Sequence, residues 1–178
     1  MKILVDADAF PNALKEVLLR AVLKRKIPTI FVANKPVSTP KEPFVEMRVV
    51  AQGVDEADHY IVELCERADV VITADIPLAD RVIAKGALGL DPRGTVYDRE
   101  NIKGLLAMRN LMHELRDAGQ ITGGPSAIGP KEVRAFADGL NELLNRKKLR
   151  RQPCSPTFLP RRQFFAPCLR CGFCEYQP

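Results

Sequence analysis

Residues 69–86 read DVVITADIPLADRVIAKG. Val70, Val71 and Ile72 form a short unbroken β-branched run, the pattern of a strand covered on both faces of a parallel sheet. Asp75 follows at once, two residues before Pro77, and both suit the start of a helix. A helix over Ile76 to Lys85 then stops at Gly86. Strand, acidic turn and helix in that order form half of a βαβ unit.

The same grammar extends in both directions. Lys2 to Val5 is a short apolar strand ending in Asp6-Ala7-Asp8, and Pro11 opens a helix whose Leu14, Val17, Leu18, Ala21 and Val22 fall at helical spacing. Pro28 ends that stretch, and Thr29 to Ala33 reads as a second strand. A proline-rich connection leads to an alternating strand over Val45 to Ala51, and a helix follows from about Asp55 to Arg67. Downstream, Leu88 to Leu90 is a short fifth strand. Helices over Asn101 to Arg116 and around Val133, Phe136, Ala137, Leu140 and Leu144 complete the pattern. Alternating strands and helices imply right-handed crossovers and a mainly parallel sheet, hence a three-layer α/β/α domain.

With 178 residues, 46% of them hydrophobic, the chain has material for one ordinary domain. No apolar run approaches the roughly 18 to 20 residues that span a bilayer, and MKILVDADAF has acids where a signal peptide keeps an apolar region. The expectation is a cytoplasmic protein with no membrane contact. The net charge of +5 is unevenly spread: residues 1–145 carry 19 basic and 21 acidic side chains, residues 146–178 carry 8 and 1. Periodicity also stops at Arg146, so residues 1–145 read as the domain and 146–178 as a basic, Cys/Pro-rich, disordered tail. Arg146, Lys147, Lys148, Arg150 and Arg151 suit contact with a phosphate backbone without sequence preference.

In an open α/β sheet, ligands bind beyond the carboxyl ends of the strands. Acids collect there: Asp6 and Asp8 after the first strand, Asp55, Glu56 and Asp58 after the third, Asp75 after the fourth. Clustered carboxylates repel unless a cation joins them, and hard oxygen donors suit Mg²⁺ or Mn²⁺. Helix capping is the competing account, with Asp55 and Asp58 spaced as a capping box. Capping does not call for a second acid in each turn, nor for Asp58 on the apolar side of its helix.

Four stretches, VDADAFPN, ITADIPLA, LDPRG and TGGP, occur in an order and at separations that resemble the bacterial family UPF0178, or DUF188, of the YaiI/YqxD type, over about residues 1–145. The resemblance implies a PIN-like domain related to metal-dependent nucleases, with no established activity of the family to carry over. On the wider PIN pattern, Asp6 matches the first metal-binding acid, Glu56 and Asp58 the central acid, and Asp75 the Asp of a T-x-D motif. Asp8 matches the second acid of the family's own opening. Two departures stand out: Pro77 occupies a place where many PIN nucleases have a further acid, and Phe10 replaces a cysteine usual in the family.

The expected function is a metal-dependent phosphodiesterase acting on RNA or single-stranded nucleic acid. Asp6 and Asp75 would be catalytic, and Asp6, Asp8, Glu56, Asp58 and Asp75 would hold the metal. The alternative is a non-catalytic nucleic-acid or nucleotide-binding module on the same scaffold. Arg93 and the backbone of Thr122, Gly123 and Gly124 are candidate phosphate contacts, although a simple turn also explains the glycines. Arg109 is read on the buried side of its helix in an ion pair. Cys65 reads as a small core residue, and His59 and His113 have no nucleophilic partner. In the tail, Cys168, Cys171 and Cys174, with Cys154 upstream, have the thiols for a metal but no ligand set at a familiar spacing.

Overall fold

A computed structural model describes residues 1–50, 53, 55–119 and 127–150. The expected βα alternation is present: β1 (Ile3–Asp6), α1 (Asn12–Arg25), β2 (Thr29–Ala33), β3 (Val45–Val49), α2 (Glu56–Leu64), β4 (Val70–Ile72), α3 (Ile76–Ala84) and β5 (Leu88–Leu90). The remaining elements are β6 (Val96–Tyr97), α4 (Ile102–Asp117) and α5 (Pro130–Arg150). The strands form one sheet in the order β3-β2-β1-β4-β5-β6, parallel throughout except for the antiparallel β5–β6 hairpin.

Strand alternation distributes the core. Ile3 and Val5 of β1 face one side with Phe31, Val70, Ile72 and Leu90. That side is covered by Leu14, Leu18 and Val22 of α1 and by Phe136, Leu140, Leu143 and Leu144 of α5. Leu4, Val32 and Val71 face the other side, under Ala57 and Ile61 of α2 and Leu78 and Val82 of α3. The central strands are therefore buried on both faces, as their near-continuous apolar runs require. Cys65 is a buried core thiol, pushed up to about 11 chiefly by burial, and that removes it as a nucleophile at neutral pH.

Three features differ from the sequence expectation. The β6 strand was not anticipated, because two residues carry no period; it exists because Asp91-Pro92-Arg93-Gly94 turns the chain back onto β5. Helix α4 packs on α3 and Tyr97 through Ile102, while Met108, Leu111 and Met112 farther along remain exposed. Arg109 is exposed beside them and donates to Asn110 Oδ1, so it is not on a buried face. Finally, α5 continues to Arg150, five residues past the composition boundary at 145. Thr122, Gly123 and Gly124, and Cys154, Cys168, Cys171 and Cys174, lie outside the described residues.

Candidate functional site

The strand order reverses direction between β1 and β4, so the connections leaving these two neighbours diverge to opposite sides and open a crevice at their carboxyl ends. Asp6, the last residue of β1, is only 7% exposed at that point. Its Oδ2 accepts the Thr73 hydroxyl at 3.0 Å, and Thr73 Oγ1 in turn accepts the Asp75 N–H at 3.0 Å. Asp75 caps α3, its Oδ2 accepting from the Leu78 N–H at 3.1 Å. One hydroxyl thus ties the first acid to the turn that carries the last one. Burial holds the Asp6 carboxyl above its ordinary range, against the opposing pull of the hydrogen bonds from Thr73 and the local backbone.

Asp58 joins this pair from the first turn of α2. It is raised to about 6, first by burial and then by the charges of Asp75, Asp6 and Asp55, with Arg81 opposing. The charges that act on Asp58 thus come from the ends of β1 and β4 as well as from its own turn. Asp55 does not form the expected capping box: it has a left-handed backbone, φ 62°, and makes no side-chain cap bond. Glu56 is exposed, because residues two apart on a helix point to nearly opposite sides, so Asp58 alone of that pair turns toward the crevice. Asp8 stands at the rim, where its Oδ2 accepts the Asn34 N–H at 2.8 Å. The Asn34 Oδ1 beside it is buried with no hydrogen-bond partner.

Sequence reasoning gave Thr73 and Asp91 no role. Asp91 follows β5 as Asp75 follows β4, and the same rule that singled out Asp75 applies to it. Burial raises its carboxyl, with Arg93 pulling the other way. Tyr97 is buried beside it and is shifted upward by burial, with further contributions from Asp91 and Asp75. Arg93 also acts on Glu132 at the start of α5, so its charge sits between two acids of the fold. His59 Nδ1 lies 3.1 Å from Arg81 Nη2, and His113 pairs with Asp117 on the exposed face of α4.

The donor set suits a hard cation, since it consists of carboxylates whose repulsion such an ion relieves and an unpartnered amide oxygen at the rim. Among the described residues, no three His, Cys, Asp or Glu side chains are already disposed to hold a metal ion together. Mg²⁺ needs no preformed cage, because it keeps several waters and can be held by carboxylates directly or through those waters.

The shift on Asp58 has a measurable consequence for stability. Its folded-state pKa of about 6 lies above the ordinary 3.8, so ionisation opposes folding once the pH exceeds both values. The penalty fades as pH falls from 6 toward 3.8. In EDTA, Asp58→Asn is expected to melt about 2–4 °C above the parent at pH 7.5, equivalent to ~1 kcal/mol after screening of this partly exposed group. The difference should close below about pH 4; a gap of the same size at every pH would refute the electrostatic assignment.

Residues 4–146 match the model of the family described as uncharacterized BCR, YaiI/YqxD family, DUF188. The UPF0178 protein of Sulfurovum sp. (strain NBC37-1) is 51% identical over 144 residues, covering 81% of this chain and 97% of that protein. Its counterpart in Maridesulfovibrio salexigens is 50% identical over 146 residues, with 82% and 97% covered. No solved structure matches the chain.

Proposed function

We propose, from the premise that this chain belongs to the DUF188 (YaiI/YqxD) family, that it is a metal-dependent phosphodiesterase acting in the cytoplasm on RNA or single-stranded nucleic acid. Residues 1–145 would be a PIN-like catalytic domain and 146–178 an appended basic tail. What supports this reading is the link of Asp6 to the Asp75 turn through Thr73 at the reversal point of the sheet, with Asp58 of α2 near enough to feel the charges of both. A fold that needed only capped helices would have no use for Asp58 raised by burial and by its acidic neighbours, because that arrangement costs stability.

Asp6, Asp58 and Asp75 would hold Mg²⁺ or Mn²⁺, with Asp8 at the rim reaching it through water, whereas Glu56 turns away from the crevice. The ion supplies Lewis-acid stabilisation of a phosphodiester and a more acidic bound water. Thr73 fixes the Asp6 carboxylate, and the cap bond fixes Asp75, so two of the three ligands are oriented before any ion arrives. The basic run beginning at Arg146 would draw in the phosphate backbone that the acidic domain itself repels.

One assay tests the reading. End-labelled single-stranded RNA and DNA, incubated with the protein in Mn²⁺, Mg²⁺ or EDTA, are expected to be cut with metal and left intact in EDTA. Absence of cleavage with either ion, in a protein that Mn²⁺ still stabilises against heat, would replace catalysis by nucleic-acid or nucleotide binding. Pro77, standing inside the first turn of α3 where an acid would extend the cluster, favours that second reading. No helix among the described residues is long and apolar enough to cross a membrane.

A further inference from the structure

The edge strand β3 reads Val45-Glu46-Met47-Arg48-Val49, which keeps its pattern when reversed about Met47 except that the charges exchange sign. Among the described residues β3 pairs with β2 alone, so its far side is an open edge. The existing bonds fix which groups face outward. Phe44 O accepts from Thr29 N and Val50 N donates to Ala33 O, so backbone alternation turns Glu46 and Arg48 toward β2 and Val45, Met47 and Val49 toward the edge. The Val45 N–H is taken by Glu42 O. The Met47 and Val49 N–H groups and the carbonyls of Val45, Met47 and Val49 remain for another strand.

We propose that this edge is the seam of a two-fold dimer in which two copies of β3 pair antiparallel about Met47. In that register Met47 opposes Met47 of the second copy, and Val45 opposes Val49. Both occupy hydrogen-bonding positions, built from the groups that face outward: the Met47 pair exchanges two bonds, and each Val45–Val49 pair makes one, from the Val49 N–H to the Val45 carbonyl, because the Val45 N–H is already taken. Glu46 then opposes Arg48 of the second copy in the closely spaced, non-bonded positions, twice, by symmetry.

Charge selects this register over its neighbours. A two-fold axis one residue earlier opposes Glu46 to Glu46, and one residue later Arg48 to Arg48, and like charges directly opposite destabilise a strand pair. Within a single chain the two charges bridge each other at 2.7 Å while both remain about half exposed, free to share that bond across a seam. Val49, 55% exposed, is the one large apolar side chain of this strand left open, and the dimer places Val45 against it.

Sedimentation equilibrium of the full chain at several concentrations tests the seam. The parent is expected to be a monomer–dimer system. Glu46→Arg and Arg48→Glu, each exposed and tolerant of change, should each weaken the dimer tenfold or more, because symmetry makes one substitution create two like-charge pairs. The Glu46→Arg/Arg48→Glu double variant should recover it, and mixing the two single variants should yield a heterodimer. A parent that stays monomeric, single variants that dimerise as well as the parent, or a mixture that fails to associate would each overturn the proposal.

Discussion

Asp75→Asn is expected to reduce metal-dependent cleavage at least about 100-fold while moving the melting temperature by no more than about 2 °C. The separation of the two effects follows from the double duty of this side chain. As a cap, Asp75 needs only an oxygen to accept the Leu78 N–H, and asparagine provides one equally well. The loss of a negative charge at the α3 N-terminus costs about 0.3–1 kcal/mol, and relief of the repulsion on Asp58 offsets it. As a ligand, by contrast, Asp75 contributes the charge itself, which the amide lacks. Asp75→Ala should lose the same activity and also about 1 kcal/mol of stability with the cap. Initial rates and thermal melts on the three proteins separate these roles, and an Asn variant that cleaves at the parental rate would remove Asp75 from the site.

Gly94→Ala is expected to be the most damaging single methyl in the molecule. Gly94 turns the β5–β6 hairpin at φ 92°, a backbone conformation strained for any L side chain. A Cβ there would lie 2.4 Å from the Ala135 carbonyl carbon, in the backbone of α5, which cannot swing aside as a flexible side chain can. Strain and overpacking together amount to about 3 kcal/mol, or ~10 °C in melting temperature. Gly104→Ala is the matched control: it lies in the exposed part of α4 with nothing within 4 Å of a Cβ, and should stabilise by up to about 1 kcal/mol. If both alanines shift the melt alike, the clash with α5 is not what Gly94 avoids.

Much of this architecture can be read from periodicity, and the exceptions have physical causes. Val70 to Ile72 could be read as a doubly covered strand because burial on both faces removes every polar residue from it. Val96-Tyr97 could not, since a two-residue strand is defined by its partner and turn. The Leu105, Met112 and Leu115 spacing does describe one stripe of α4, but a stripe says nothing about whether another element arrives to cover it. In the site, Asp6 and Asp75 stand out because strand ends are visible in sequence. Helical spacing already puts Asp58 rather than Glu56 on the apolar side of α2, but does not say which strand ends that side meets. Thr73 was hidden because a threonine at the end of a β-branched run looks like more strand, whereas its hydroxyl is the link between two acids.

The hydrogen bond from Thr73 to Asp6 also bears on how the protein comes into being. It joins residues 67 positions apart, across strands that neighbour each other only after the three intervening crossovers have been wound. Such non-local pairings form late, since the chain must surrender the freedom of the whole intervening loop first. A nascent chain that has emerged only as far as α2 already holds Asp6, Asp8, Glu56 and Asp58, yet it has no crevice in which to gather them. The acidic site is thus an end product of folding, and intermediates lacking β4 have no place to assemble it.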